Sequence, residues 1–452
     1  MINSTTEFII GLFVLVGFAV LVGEIFTHLG QAALVGQLLV GVLFGPTLLG
    51  PALGLTSTTV SSEFSGLQTL ATFFILLMAG LGVSPKAIRE TGLPSALLGI
   101  GIFFVPFVFG AAIVRLVYPS YGTLLDLLFA LTISITALPV LGIMLREFDL
   151  LDTKFGLTLL NASVVNELCA VTVFAALLRL YNTHGSALVS VGYAVGYVLL
   201  FLGVILLLYL LLRWLGDRPG WKSFVRRFRA EWNTREAGFA LLIVVGLASA
   251  LFSQYLGLTF IVGAFYVGIL VTPEVAGEKV HKSISGIFDA VTWGFFIPLF
   301  FALVGYDTNF RLLGTSYVAL VAFIVIVIFA VASKFLIGAS ITRALGWSGD
   351  ESFAAGFFVT SRGAVELAMA VILVDSMVFN ETQFTIVAAA GLITTILSPI
   401  GARPFVRAMK SAALRARREA KEPPTPWVGT TYLPPKVGGV DGDRPPLPTP
   451  PR

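Results

Sequence analysis

Long apolar runs alternate with short polar breaks along almost the whole chain. Thirteen candidate runs lie near 7–27, 32–50, 67–83, 94–117, 124–146, 156–180, 188–214, 236–254, 259–272, 287–305, 315–342, 353–374 and 384–402. A helix needs about 20 mostly apolar residues to cross a bilayer, and most of these runs supply them. The pattern predicts an all-α polytopic membrane protein with about 13 transmembrane helices. The second and ninth runs are short and rich in Gly. The fifth carries Pro139 in its middle and the twelfth carries Arg362-Gly363, so both are expected to be broken crossing helices.

Two of these runs resemble each other. Written without a gap, "HLGQAALVGQLLVGVLFGP" (28–46) sets Gly30, Gly36, Gly41 and Pro46 over Gly257, Gly263, Gly268 and Pro273 of "YLGLTFIVGAFYVGILVTP" (255–273). The copies sit in runs 2 and 9, an odd number of crossings apart, so they traverse the membrane in opposite directions. That is an inverted-topology repeat, with runs 1–6 mirrored by 8–13 and run 7 as linker. The same offset of 227 residues carries Ser134 of "TISITALPV" onto Ser361 of "FVTSRGAVE", which places the two broken helices at matching points.

Composition agrees with this class. The 452 residues are 57% hydrophobic and 12% charged, against about 25% charged in ordinary soluble domains. A soluble enzyme or nucleic-acid binder is excluded, since the basic stretches follow the predicted membrane ends. The single cysteine, Cys169, excludes intrachain disulfides and CxxC sites, and reads as a helix-packing residue. No Lys or Arg precedes the first run, which is unlike a cleaved signal peptide.

Orientation follows from the cations. With the N-terminus outside, inside loops hold Lys86, Arg89, Arg146, Lys154, Arg213, the dense 218–235 segment, Lys279, Lys282, Arg343 and the basic tail beyond 403. Only Arg115, Arg179 and Arg311 lie outside. Within "GWKSFVRRFRAEW", Trp221, Phe224, Val225, Phe228 and Trp232 share one helical face. It reads as a helix on the cytoplasmic leaflet, as does the basic segment 403–421 less cleanly; a solvated basic loop is the alternative. The Pro/Gly-rich end, 422–452, is expected to be disordered or polyproline-like.

Charges deep inside the runs are few, and each is costly there. Glu167 lies in run 6, Lys334 in run 11, Arg362 and Glu366 in run 12; Asp126, Asp289 and Glu24 lie nearer to run ends. Glu167 can hold either a proton or a monovalent cation, and competition between the two couples their fluxes. Ser134 and Thr136 in the broken fifth run, and Ser163 one turn before Glu167, offer oxygens for such a cation; Asn166 can orient the site. Lys334 is the candidate counter-charge. Arg362 and Glu366, four apart on one face, either pair with each other or meet substrate.

At these residues the chain resembles the monovalent cation:proton antiporter family 2, most closely its cation/proton exchanger branch. The resemblance rests on "VGQLLVGVLFGPTLLG" (35–50), "SITALPVLGIMLREFDLLDTKFG" (134–156), "NASVVNELCAV" (161–171), "PLFFALVGYDTN" (298–309) and "TSRGAVELAMAVIL" (360–373), in the family's order. It implies a thirteen-helix antiporter domain over 1–402, with a core from spans 4–6 and 11–13. Spans 1–3 and 8–10 would form a dimerisation scaffold in a homodimer, and transport would be elevator-like. Glu167 stands where the family usually has its transporting aspartate, and Lys334 at the family's span 11 lysine. Gln37 stands where many relatives have Glu. Asn166 in place of a first Asp leaves one carboxylate in the pair, which favours one-for-one, electroneutral exchange so long as Lys334 keeps its proton.

The expected activity is therefore secondary active exchange of sodium or potassium for protons across the inner cell membrane, without a cofactor and without enzymatic chemistry. The alternative is a proton- or sodium-coupled carrier of an organic anion or small metabolite on the same architecture, a reading that Arg362 and the Glu-for-Asp change support. A ligand-gated potassium efflux system would need a nucleotide-binding pattern, and no strand–GxGxxG–helix follows span 13.

Overall fold

A computed structural model describes residues 4–29, 31–49, 63–82, 85–151, 153–182, 187–216, 235–271 and 278–419. All regular structure among these residues is helical. The order begins α1 (Ser4–His28), α2 (Ala33–Phe44), α3 (Glu63–Leu81), α4 (Pro85–Val117), α5 (Thr123–Thr132), α6 (Leu138–Glu147), α7 (Lys154–Asn182) and α8 (Ala187–Gly216). It continues with α9 (Arg235–Tyr255), α10 (Phe260–Leu270), α11 (Glu278–Val291), a π turn (Thr292–Phe296), α12 (Ile297–Asp307) and α13 (Arg311–Thr315). The last four are α14 (Tyr317–Ala344), α15 (Gly349–Phe358), α16 (Ala364–Asp375) and α17 (Glu381–Glu419).

Among the described residues eight helices are long and apolar enough to cross a membrane, and shorter apolar helices include α2, α5 and α10. Helices dominate because a chain this apolar must satisfy its backbone polar groups internally. Where a helix stops, the cause is visible. Pro139 sits in the first turn of α6, where its missing N–H removes no helical bond, so the interruption falls just before it. Gly92, with φ +58°, separates the first turns of α4 from its long apolar part.

The repeated glycines explain how the short helices pack. A Cβ on Gly36 would overlap the Val22 carbonyl, and one on Gly263 would overlap the Ser249 carbonyl; Val22 and Ser249 are themselves 227 apart. A Cβ on Gly41 would run into the Ala302 carbonyl of α12, and one on Gly268 into the Leu77 carbonyl of α3. Gly305 likewise faces Leu38, and Gly80 faces Phe265. So α2 lies against α12 while α10 lies against α3, each half lending its short helix to the other. Such close approach of backbones needs small residues at the seam.

The basic segment after the last apolar run is a continuation of α17, with Pro399 and Pro404 inside the helix. Phe405 packs 5.2 Å from Phe353, ring centre to ring centre, and the Lys410 Nζ lies 3.1 Å from Asp149 Oδ2. This part of the segment is docked on the helical body. The amphipathic stretch within 217–234 and the tail from 420 onward lie outside the described residues.

Candidate functional site

Two buried non-helical stretches meet, one between α5 and α6 and one between α15 and α16. Each starts with the same turn: the Ser134 N–H reaches the Leu131 carbonyl at 2.9 Å, and the Ser361 N–H reaches Phe358 at 3.2 Å. At the crossing the Ala137 N–H donates to the Ser361 carbonyl at 3.1 Å, and the Thr136 hydroxyl to the Val359 carbonyl at 2.9 Å. Gly363 makes this approach possible, since a Cβ there would sit 2.8 Å from the Ala137 Cβ.

Breaking a buried helix leaves backbone groups that must find partners elsewhere. Charged and amide side chains supply them. Asn166, on α7, accepts the Thr136 N–H at 2.8 Å on Oδ1 and donates Nδ2 to the Ser134 carbonyl at 3.1 Å. Lys334, on α14, donates to the Ile135 carbonyl and to the Thr136 hydroxyl, the latter at 2.6 Å. Arg362 donates to the last carbonyls of α5, at Thr132 (3.0 Å) and Ile133. The negative end of α5 is thus met by the Arg362 guanidinium, while Lys334 serves the non-helical stretch beyond it.

The positive end of α6 is met by an anion. Glu167 is fully buried and its Oε1 accepts the N–H of Leu138, the first residue of α6, at 2.9 Å. Its Oε2 is buried without a hydrogen-bond partner, and so is the Ser163 hydroxyl one turn earlier on the same face. Two buried oxygens without a hydrogen-bond partner, four residues apart on α7, are an exception to the usual satisfaction of buried polar atoms. A desolvated monovalent cation, or a proton on the carboxylate, would satisfy them.

Glu366 lies in the first turn of α16 and pairs with Arg362 at 2.7 Å, both side chains fully buried. Breaking such a pair by removing one partner costs about 3–5 kcal/mol, so the pair locks the second interruption. A residue that the sequence reading did not single out completes the lock. Thr395 of α17 accepts the Arg362 N–H at 3.3 Å and donates to the Arg362 carbonyl at 3.0 Å. The repeat offset does not point to it, because 227 residues on from Asn166 lies Ile393, two positions before Thr395.

The structure therefore sorts the residues singled out by sequence. Glu167 and Ser163 present open oxygens. Ser134 turns its hydroxyl to the Ala130 carbonyl at 2.7 Å, while Thr136 gives its proton to Val359 and accepts from Lys334. Asn166 has both ends of its amide on backbone, so it shapes the site and does not present a ligand atom. Lys334 makes no ion pair with Glu167; its ammonium faces the first interruption instead. The terminal nitrogens of Arg362 are engaged by Glu366, Thr132 and Ile133.

Known proteins are similar to this chain in sequence and in fold. The chain is 28% identical over 405 residues to cation/H(+) antiporter 18 of Arabidopsis thaliana, covering 87% of this chain and 48% of that one. The chain thus spans about half the length of that plant relative. It is 26% identical to the Na(+)/H(+) antiporter NhaS4 of Synechocystis, covering 88% of this chain and 96% of that one. In fold it is similar to the sodium proton antiporter MjNhaP1 of Methanocaldococcus jannaschii, with a TM-score of 0.62, 17% identity, and coverage of 88% and 96%. A family model described as sodium/hydrogen exchanger, transmembrane, matches residues 14–408. The chain is an integral membrane protein and belongs to the sodium/hydrogen exchanger family.

Proposed function

We propose that this protein exchanges a monovalent cation, sodium or potassium, for protons through Glu167. The observation that carries this reading is the pair of open oxygens, Glu167 Oε2 and Ser163 Oγ, buried beside the crossing of two interrupted helices. A carboxylate at this depth is tolerated when a proton and a cation can take turns on it. The relatives named as Na(+)/H(+) and cation/H(+) antiporters support the same substrates.

Charge arithmetic supports electroneutral exchange. Glu167, Glu366, Lys334 and Arg362 sum to zero when all are ionised, and either a proton or a monovalent cation adds the same single charge. Swapping one for the other leaves the site's charge unchanged as the core moves. In this reading the thirteen apolar runs are thirteen crossings, the N-terminus outside and the C-terminus inside, in the inner cell membrane. Helices α5–α6 and α15–α16 each form one broken crossing. Spans 4–6 and 11–13 form a core that moves, elevator-fashion, against a scaffold of spans 1–3 and 8–10, which joins two protomers. The metabolite-carrier reading loses its main support, because the guanidinium that would greet an organic anion already holds Glu366 and two carbonyls.

The test uses purified protein in liposomes with a trapped pH dye. Adding sodium, potassium or lithium salts in turn is expected to drive proton movement with at least one of them. Proton movement that depends on a metabolite and ignores all three salts would replace this reading with the carrier.

A further inference from the structure

Thr395 makes contacts that the ion site does not use. It is 2% exposed, and its hydroxyl both accepts the N–H and donates to the carbonyl of one non-helical residue, Arg362. Asn166 braces the first interruption in the same two-handed way, through Thr136 and Ser134. Both braces come from the second helix after the interruption they hold, α7 for Asn166 and α17 for Thr395. The positions next to them differ, since Glu167 follows Asn166 whereas Ile396 follows Thr395. Each half has such a brace, the second two residues beyond the 227-residue offset, and only the first has a carboxylate beside it.

The consequence reaches Glu167 through a short chain of contacts. Segment 359–363 grips the first interruption at three points, two through backbone and one through a side chain: the Val359 carbonyl on Thr136, the Ser361 carbonyl on Ala137, and the Arg362 guanidinium on Thr132 and Ile133. The Ala137 N–H is one peptide away from the Leu138 N–H that holds Glu167. Without Thr395 the N–H and carbonyl of Arg362 would be buried and unmet, and the backbone would shift to satisfy them. The neighbouring Ser361 hydroxyl, buried and without a partner, offers no second tie to hold it in place.

We propose that Thr395 is a positioning residue for exchange: it fixes the second interruption so that the first holds the Glu167 carboxylate in register. Its transport consequence rests on the exchange reading above; its structural consequence does not. The experiment compares wild type, Thr395→Val and Thr395→Ser as full-length protein in lipid nanodiscs and in liposomes. Hydrogen–deuterium exchange is followed over the peptide containing residues 132–140, which belongs to the other interruption. Removing the hydroxyl is expected to speed exchange there about tenfold and to raise the half-maximal cation concentration by a similar factor. Thr395→Ser is expected to match wild type in both. Should the valine variant not assemble, Thr395→Ala reads out the same two quantities. Unchanged exchange at 132–140 without the hydroxyl would overturn the proposal, and so would a serine variant as impaired as the valine one. Wild type that moves no protons with any cation would remove the transport arm alone, leaving the exchange arm to decide.

Discussion

Glu167 and Leu138 are joined by one hydrogen bond, 2.9 Å from the amide nitrogen to Oε1, that seats a buried carboxylate on the N-terminal end of α6. One oxygen is held by a helix end and the other is left open. In the exchange proposed above, this contact orients the carboxylate and leaves Oε2 as the oxygen that takes a proton or a cation.

The first prediction follows from the length of this side chain. Glu167→Asp keeps the charge but withdraws it by one methylene from the Leu138 N–H. Hydrogen bonds to charged groups contribute about 1.5–3 kcal/mol, so the half-maximal cation concentration is expected to rise about tenfold or more. An aspartate variant with wild-type cation dependence would show that the Leu138 contact is dispensable.

A second prediction concerns Lys334. Its ammonium satisfies a buried carbonyl and the Thr136 hydroxyl. Lys334→Met keeps the volume and removes the donors, at a cost of about 1–3 kcal/mol for the group left unmet. Thermal unfolding of the purified variant is expected at lower temperature. Lys334→Arg is not expected to restore it, because a planar fork does not reproduce a compact ammonium inside a packed core. An arginine variant as stable as wild type would assign Lys334 only a generic charge.

The glycine seam gives a third. Gly41→Ala and Gly268→Ala would each drive a methyl into a backbone carbonyl of the partner half, whereas Gly17 has nothing within 4 Å of its added Cβ. Overpacking of a close backbone contact costs about 1–3 kcal/mol or more. Folded yield is expected to fall for both seam variants and to hold for Gly17→Ala. Equal yields for all three would contradict the close approach.

Much of this was legible in the chain because hydrophobic runs and glycines act locally. Pro139 and Gly363 marked the interruptions, and the Gly and Pro matches aligned the two halves. Depth alone identified Glu167, Lys334, Arg362 and Glu366. Partners were not legible, since hydrogen bonds across the crossing depend on side-chain direction and not on spacing. So Lys334 read as a counter-charge to Glu167 where it meets the Ile135 carbonyl and the Thr136 hydroxyl, and Thr136 read as a ligand where its hydroxyl is taken up by Val359 and Lys334. Thr395 was silent because a hydroxyl in an apolar run carries no charge to draw notice. The fate of segment 403–421 also needed the structure: its partner Asp149 lies 261 residues earlier in the chain.

A fourth prediction tests movement. Thr172, on α7, donates its hydroxyl to the Leu168 carbonyl at 2.7 Å, so the Tyr266 hydroxyl of α10 donates to Thr172 across 2.6 Å. In an elevator these helices belong to parts that slide past each other, and this bond favours the state described. Cys169, the chain's single cysteine and only partly buried, lies on the same stretch of α7. Tyr266→Phe is expected to raise the rate at which a membrane-permeant thiol reagent modifies Cys169, read by mass spectrometry. An unchanged labelling rate would mean that the hydroxyl pair does not restrain the helices.

The central claim is that one carboxylate carries both the proton and the cation. Its most direct measurement compares wild type with Glu167→Gln in liposomes loaded with a pH dye, after both proteins are shown to be folded and inserted. Cation-driven proton movement in the wild type and none in the glutamine variant is the result predicted here. Equal proton movement in both would contradict it, and would place the transported charge elsewhere in the molecule.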